Sequence, residues 1–442
     1  MAKIGTSADF ESAIACGVSA ELALRKISAF ERSRWLTEIA EWIAQHRNEF
    51  ALAITRDVGK TIRESHAEVA RAIDTITLSA EEALRIGGEK IPMDRTLRGV
   101  GSWGITQRFP IGLCGFISPF NFPLNLSAHK IGPAVAVGNP FVLKMASVAS
   151  RTAQLLTECL ASVGMPAGSW SILIGDRATA DVLVTDPRIK LLSFTGSPEV
   201  GWAMKSRAGK KSVILELGGN AAVVVENVVD LDAVALKIAI GAFSQAGQSC
   251  ISVQRILVNA SLMSDFLPRL IAHTERLCVG DPLTPATDVG PLVSESSARR
   301  VEIWVGQAVA AGATVLTGGR REGAFFSPTL LADVSFDQPV MADEVFGPVA
   351  VIIPYADFDE ALRMVNESKF GLQVGLFTLD YTEIMTAFER LDVGGVIVGN
   401  VPGFRLDHTP YGGIKDSGFG REGVRSAIAH MTEEKILVLN PK

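Results

Sequence analysis

Residues 190–226 read KLLSFTGSPEVGWAMKSRAGKKSVILELGGNAAVVVE. Three short runs rich in Leu, Ile and Val, "KLLSFTG", "SVILEL" and "AAVVVE", fall within this one stretch. They are continuously apolar rather than alternating. Strands of that kind are buried on both faces and belong to parallel sheets covered by helices. "SFTGSPEVG" (193–201) completes the first run and opens a helical segment. Gly196 permits a tight turn there, and Ser197 is a favoured N-cap. A helix start with free backbone N–H groups suits a pyrophosphate. The motif is not GxGxxG, so an ordinary strand-to-helix turn accounts for it equally well. "ELGGN" (216–220) ends the second run. Glu216 is then either a salt-bridged structural residue or a carboxylate tuned by burial for proton transfer. Gly218 and Gly219 let the backbone approach something closely.

The same rhythm extends in both directions. Upstream lie "GLCGFIS" (112–118), "PFVLK" (140–144) and "SILIG" (171–175), with helical patterns at 151–162 and 178–185. Downstream lie "RILVN" (255–259), helices near 261–277 and 294–310, then "PVAVIIPY" (348–355), "VGLFTL" (374–379) and "GGVIVGN" (394–400). This predicts two α/β units in series. Residues 20–85 read as helices: Val69, Ile73, Ile76, Ala80 and Ala83 recur at three- and four-residue spacing, and Trp35, Ile39, Trp42 and Ile43 repeat the pattern. "RTLRGVGSWGITQRFPIG" (95–112) alternates and carries glycines, as an exposed hairpin does. "EEKILVLN" (433–440) reads as a lone strand. Either segment offers an edge to a neighbouring subunit's sheet.

Composition narrows the class. The chain has 442 residues, of which 48% are hydrophobic, enough for a large globular core in two or three domains. A net charge of −6 leaves no footprint for nucleic acid and no polybasic membrane patch. The longest apolar run, "IGPAVAVGNPFVL", is broken by Pro133 and by Asn139-Pro140, and "MAKIGTSADF" lacks the pattern of a signal peptide. Cysteines stand at 16, 114, 159, 250 and 278, without CxxC or a Cys/His cluster. Neither a disulfide framework nor a metal site is expected, and a reduced cytoplasmic setting fits.

Other stretches carry possible chemistry. In "FSQAGQSCISVQR" (243–255), Cys250 is either a nucleophile or a buried structural thiol. In "PFNFP" (119–123), Asn121 sits between aromatic and proline residues. It is either a turn former or a rigid amide able to donate to an oxyanion. "PFVLKMAS" places Lys144 at the carboxyl end of a strand, where ligands of open α/β sheets bind, although a solvated loop lysine is equally consistent. "EVFGPV" (344–349) and "PYGGIKDSGFGREG" (410–423) are Gly/Pro-rich loops.

In this order, PFNFP, Lys144, GSPEVG, ELGGN, AGQSC, EVFGPV and GGIKDSGFGREG resemble the aldehyde dehydrogenase superfamily over about residues 8–440. The chain enters the family pattern late, with the first strands before the helix at 10–15 missing or trimmed. The resemblance implies an α/β fold of two doubly wound domains plus a small β oligomerisation element. It places an NAD(P)-binding domain at 1–94, 110–217 and 405–424, a catalytic domain at 218–404, and the oligomerisation element at 95–109 and 425–442. It implies that Cys250 attacks the aldehyde, Asn121 binds the oxyanion with the Cys250 N–H, and Glu216 activates water. For NAD or NADP it implies Ile117, Ser118, Lys144, Gly196, Ser197, Leu217, Glu344 and Phe346.

Ser147 occupies the position where many NAD-preferring relatives carry a glutamate that would repel a 2′-phosphate, so NADP is acceptable as well. The motif texts look most like the branch of lactaldehyde, phosphonoacetaldehyde and other small polar aldehyde dehydrogenases. Small Ser249 beside the nucleophile counts against a phosphonate. Arg108 and His129 flank PFNFP, and Arg405 and His408 lie in "VPGFRLDHTPYGG" (401–413). A basic mouth formed by Arg108, Arg405 and His408 would favour an anionic or hydroxylated aldehyde. Against this, arginines in such loops commonly pair with acids, and Asp407 and Asp416 are near in sequence. A homodimer or homotetramer is expected. The alternatives are a coenzyme-A-acylating dehydrogenase, against which Glu216 argues, and a noncatalytic protein on the same fold.

Overall fold

The computed structural model describes residues 4–176 and 178–440. The extreme ends of the domain segments 1–94 and 425–442 lie outside the described residues. Among the described residues, a six-stranded sheet runs in the order Gly418–Phe419, Ser212–Glu216, Leu191–Thr195, Cys114–Ile117, Phe141–Met145, Trp170–Ile174. All neighbours are parallel except the first pair. Strand order reverses between Cys114–Ile117 and Leu191–Thr195, and the crevice outside such a reversal is where open α/β sheets bind ligands. Register brings Ile117 beside Lys144 and Phe194, and Thr195 beside Glu216, so the carboxyl ends of four strands share one edge.

A seven-stranded sheet follows: Thr314–Thr317, Thr329–Ala332, Val349–Tyr355, Val253–Asn259, Ala221–Val225, Gln373–Phe377, Gly395–Val398. It is parallel except for its first pair. Ala221–Val225 is buried throughout, as its unbroken apolar text requires. The strand Ser212–Glu216 ends the first sheet's parallel run and Ala221–Val225 opens the second, so Leu217–Asn220 is the passage between the two sheets.

Helices cover both sheets. Helix Ile62–Ala83 buries Val69, Ala72, Ile76, Ala80 and Ala83, and Thr61 caps it by accepting from Glu64 N. Helix Asn125–Val137 is buried along its whole length, its polar Asn125, Ser127, His129 and Lys130 included. No helix among the described residues is long and apolar enough to cross a membrane.

Residues 95–112 do not form a hairpin. They hold a short 3-10 turn, Leu97–Gly99, and one strand, Trp103–Pro110. That strand pairs antiparallel with Lys90–Ile91 on one side and with Thr432–Leu439 on the other. The C-terminal strand is therefore paired within the chain rather than alone. Its pairing register, Trp103↔Leu439 to Pro110↔Thr432, uses the full length of both strands. Helix Val424–His430 straddles the boundary drawn at 425. Its Ala427 and Ile428 are buried in the core beneath the first sheet, so it packs chiefly with the first unit.

Candidate active site

Cys250 follows an unusual turn. Gln245, Ala246 and Gly247 have φ of 51°, 53° and 70°. Two consecutive non-glycine residues in the left-handed region are strained and persist only where neighbours hold them. The Gln245 side-chain amide donates to the Asn121 carbonyl, and Gln245 N donates to Glu64 Oε1 at 2.8 Å. A Cβ on Gly247 would come 2.0 Å from the Gly347 carbonyl oxygen. The chain thus leaves Cys250 at the lip of strand Val253–Asn259, half-buried.

Both glycines of ELGGN are needed for close approach. A Cβ on Gly218 would meet Glu344 Oε2 at 2.4 Å, and one on Gly219 would meet the Cys250 carbonyl oxygen at 2.2 Å. Gly219 N donates to Glu344 Oε1 at 3.0 Å. The turn between the sheets therefore presses against both the cysteine and the EVFGPV loop.

A cavity of about 550 Å³ opens at this junction. Cys250, Glu216 and Asn121 all line it. So do Ile117, Ser118, Lys144, Gly196, Ser197, Leu217, Glu344 and Phe346. Ser147 does not: it lies at the exposed rim, donating to the Gly175 carbonyl at 3.2 Å. Arg405 lines the cavity, but Arg108 and His408 do not. Arg108 sits on strand Trp103–Pro110 and donates to Thr432 Oγ1 at 3.1 Å, because the strand carries it toward the three-stranded sheet. His408 is exposed on its loop. His129 is buried in helix Asn125–Val137 and bonds Asp407 at 2.8 Å.

Electrostatics separates the two key groups. Burial raises the Cys250 thiol to about 12, partly opposed by the Tyr411 hydroxyl 3.3 Å from its sulfur. Cys114 and Cys159 are also raised by burial, but neither lines the cavity. Glu216 is buried, and neither of its oxygens has a hydrogen-bond partner. Burial, and then the charge of Glu422, pushes its carboxyl well above the usual range. Burial alone would raise Glu422 too, but Lys130, His129 and Arg405 hold it low. Lys130 Nζ contacts Glu422 Oε1 at 2.8 Å and donates to Ser193 and Thr195 at 2.8 and 2.9 Å. Glu344 is raised to about 7 by burial, against the Gly219 N–H and Arg300.

Asn121 Nδ2 donates to the Gln248 carbonyl at 3.0 Å, leaving its second N–H for a ligand. Arg405 stacks 3.7 Å from the Tyr411 ring centroid, lies 3.6 Å from Glu422, and keeps a buried Nε with no partner. Asp407 is taken by Arg71 at 2.7 Å rather than by Arg405. Sequence reading missed Tyr411, Glu422, Lys130 and Arg71. The first two stand in the quoted loop PYGGIKDSGFGREG, but only the fold shows which of its residues face inward. Lys130 stands directly before the apolar run that begins at Ile131, and only the fold turns it toward Glu422.

The matched family model is the aldehyde dehydrogenase family, over residues 2–437. The chain is 43% identical to 3-sulfolactaldehyde dehydrogenase from Priestia aryabhattai, covering 99% of this chain and 91% of that protein. Among solved structures it is similar to aldehyde dehydrogenase 21 from Physcomitrella patens in complex with the reaction product succinate. That match has a TM-score of 0.97 and 44% identity over 99% of this chain and 91% of the other. It is also similar to glyceraldehyde-3-phosphate dehydrogenase from Methanocaldococcus jannaschii complexed with NADP, with a TM-score of 0.94 and 35% identity over 99% and 95% of the two chains. With Cys250, Glu216 and Asn121 in one cavity and this likeness along nearly the whole length, the chain belongs to the aldehyde dehydrogenase family.

Proposed function

We propose that this enzyme oxidises a small anionic aldehyde to the free carboxylic acid, with NAD or NADP as hydride acceptor. One observation carries the reading: Glu216, a carboxylate with both oxygens buried and unpartnered, lines the same cavity as Cys250.

The Cys250 sulfur adds to the aldehyde carbon and its proton is released. The resulting oxyanion accepts from the free N–H of the Asn121 amide and from the Cys250 backbone N–H. When bound, the nicotinamide cofactor takes the hydride expelled as the thiohemiacetal collapses to a thioester. Glu216 then draws a proton from water, whose oxygen attacks the thioester carbon. The acid leaves and the thiol is restored. A free base at Glu216 favours this hydrolytic ending over transfer to coenzyme A.

The donor set fits the cofactor. The Lys144 ammonium makes no hydrogen bond to the described residues, and burial lowers its pKa. It stands at the carboxyl end of its strand, on the edge shared with Ser118. Ser197 caps helix Pro198–Arg207 without using its side chain, leaving the helix N-terminus for phosphate oxygens. Lys144 would hold the adenosine ribose, with Ser147 at its rim. Glu344, facing the glycine turn beside Cys250, would hold the nicotinamide ribose.

A second cavity of about 400 Å³ shares Arg71, Phe122, Ser249, Ile251 and Gly403 with the first. Substrate would enter there. Arg71 supplies positive charge where the two cavities meet and Arg405 supplies it in the first, where the unpartnered Nε of Arg405 is a donor waiting for an acceptor. The relatives named for sulfolactaldehyde and glyceraldehyde 3-phosphate, and the one solved with the reaction product succinate, support the same class here, since all three compounds are anionic.

The strand Thr432–Leu439 exposes Ile436, Leu437, Val438 and Leu439, and its partner exposes Trp103 and Ile105. Exposed apolar residues on such a strand support self-association through this sheet, as a homodimer or homotetramer. The test of substrate class is an assay of succinate semialdehyde, lactaldehyde, glyceraldehyde 3-phosphate and hexanal with each cofactor, repeated with Arg405→Ala. Charged aldehydes should be oxidised best, and the variant should lose them selectively. Hexanal as the best substrate would defeat the reading, as would an equal loss on every aldehyde.

A further inference from the structure

We infer that the first two turns of helix Ile62–Ala83 act as a jig for the oxyanion site, with Glu64 as a positioning residue. The inference rests on the reading of Asn121 and the Cys250 N–H as the oxyanion donors.

Those two donors come from different loops, and neither loop alone sets their separation. Glu64 engages both. Its Oε1 accepts the Gln245 N–H at 2.8 Å, and the Gln245 side chain in turn donates to the Asn121 carbonyl. One carboxylate therefore anchors the residue that ties the cysteine turn to the asparagine loop. Gln245 and Ala246 are in the left-handed region, so this turn needs outside support to persist.

Glu64 is itself fixed. The Thr61 hydroxyl donates to its Oε2 at 2.9 Å, and it lines the wall of the second cavity. One helical turn later Glu68 holds the other side. Its Oε1 accepts from Leu124 N and Asn125 N at 2.9 and 3.2 Å, just after Asn121. Its Oε2 pairs with Lys60, whose ammonium lies 3.7 Å from the Phe122 ring centroid. Residues four apart lie on one helix face. The rise between Glu64 and Glu68 thus sets how the cysteine turn and the asparagine loop stand relative to each other. Buried ionic groups cost desolvation that an apolar pair would avoid. Here the gain is geometry.

The test is a double-mutant cycle in the full-length enzyme with the best aldehyde of the panel. Glu64→Ala should lower kcat/KM by about tenfold or more, as misplaced reacting groups do. Cofactor affinity, read by fluorescence titration, should be unchanged. Glu64→Gln retains an oxygen that can accept the Gln245 N–H, and it should recover most of the activity. In an Asn121→Ala background, Glu64→Ala should change the rate by less than about threefold, since coupled groups are not additive. Should Glu64→Ala fail to fold, Gln245→Met takes its place in the cycle, with the same coupling expected.

A full independent loss in both backgrounds overturns the jig while leaving the oxyanion reading intact. So does Glu64→Ala at the wild-type rate. Asn121→Ala at the wild-type rate overturns the oxyanion reading, and the jig with it.

Discussion

The hydroxyl of Tyr411 lies 3.3 Å from the sulfur of Cys250, and the Tyr411 ring is covered on one face by the Arg405 guanidinium. As the proposed nucleophile, Cys250 therefore has a donor of its own in a site where burial opposes the thiolate. Removing that donor with Tyr411→Phe should leave less thiolate at any given pH. A hydrogen bond to a charged group is worth about 1.5–3 kcal/mol, so alkylation of Cys250 by iodoacetamide at pH 8 should slow by about tenfold or more. The alkaline rise of the rate should move to higher pH. Alkylation as fast as in the parent would show that Tyr411 does not bear on the sulfur.

Glu216 and Glu422 form a second coupled relationship. Burial, then Glu422, raises the Glu216 carboxyl. A base so raised is lost as pH falls through that raised value, above the range of an ordinary carboxylate. Deacylation should accordingly fail on the acid side while surface glutamates are still ionised. Glu422→Gln removes the like charge and leaves Lys130 and Arg405 in place, so both changes favour the Glu216 carboxylate. The acid limb of single-turnover thioester hydrolysis should then move to lower pH. A limb that stays put or moves upward contradicts this coupling.

Gly218 and Gly219 should respond differently to alanine. A Cβ at 219 meets a backbone oxygen of Cys250, which can yield only by moving that proposed nucleophile, whereas one at 218 meets the end of the Glu344 side chain. Gly219→Ala should lose activity by roughly a hundredfold, as about an ångström of misplacement does. Gly218→Ala should chiefly raise the KM for cofactor. Steady-state kinetics of the two variants at varied cofactor distinguishes these outcomes, and a reversed order would refute the assignment of the two contacts.

Much of this site is legible in the sequence because it rests on local chemistry. Continuous apolar runs such as Ala221–Val225 announce a doubly covered sheet, and the glycine pair after Glu216 announces a close approach. The residues that were misplaced fail for a different reason. Arg108 reads as near Asn121 because only a strand and a loop separate them in sequence, yet that strand carries it to the three-stranded sheet. The 95–112 segment alternates like a hairpin, but its long partner is Thr432–Leu439, over 300 residues away, and no local pattern encodes such a pairing. Tyr411 and Glu422 reach the cavity, and Lys130 reaches Glu422, through tertiary packing alone.

Ser147→Glu tests the adenosine end of the cleft. A new carboxylate at this rim would bond ribose hydroxyls and repel a 2′-phosphate. The ratio of NADP to NAD catalytic efficiency should fall by about tenfold, within the range of one like-charge contact. An unchanged ratio would place the adenosine ribose elsewhere than beside Lys144.

The covalent route through Cys250 and its release by Glu216 meet in one measurement: rapid mixing of Glu216→Gln with aldehyde and cofactor, followed by mass analysis of the quenched protein. The account predicts a burst of reduced cofactor of up to about one equivalent per active site, slow turnover after it, and an acyl adduct on the peptide carrying Cys250. Undiminished steady turnover in this variant, or an adduct on Cys114 or Cys159 instead, would contradict it.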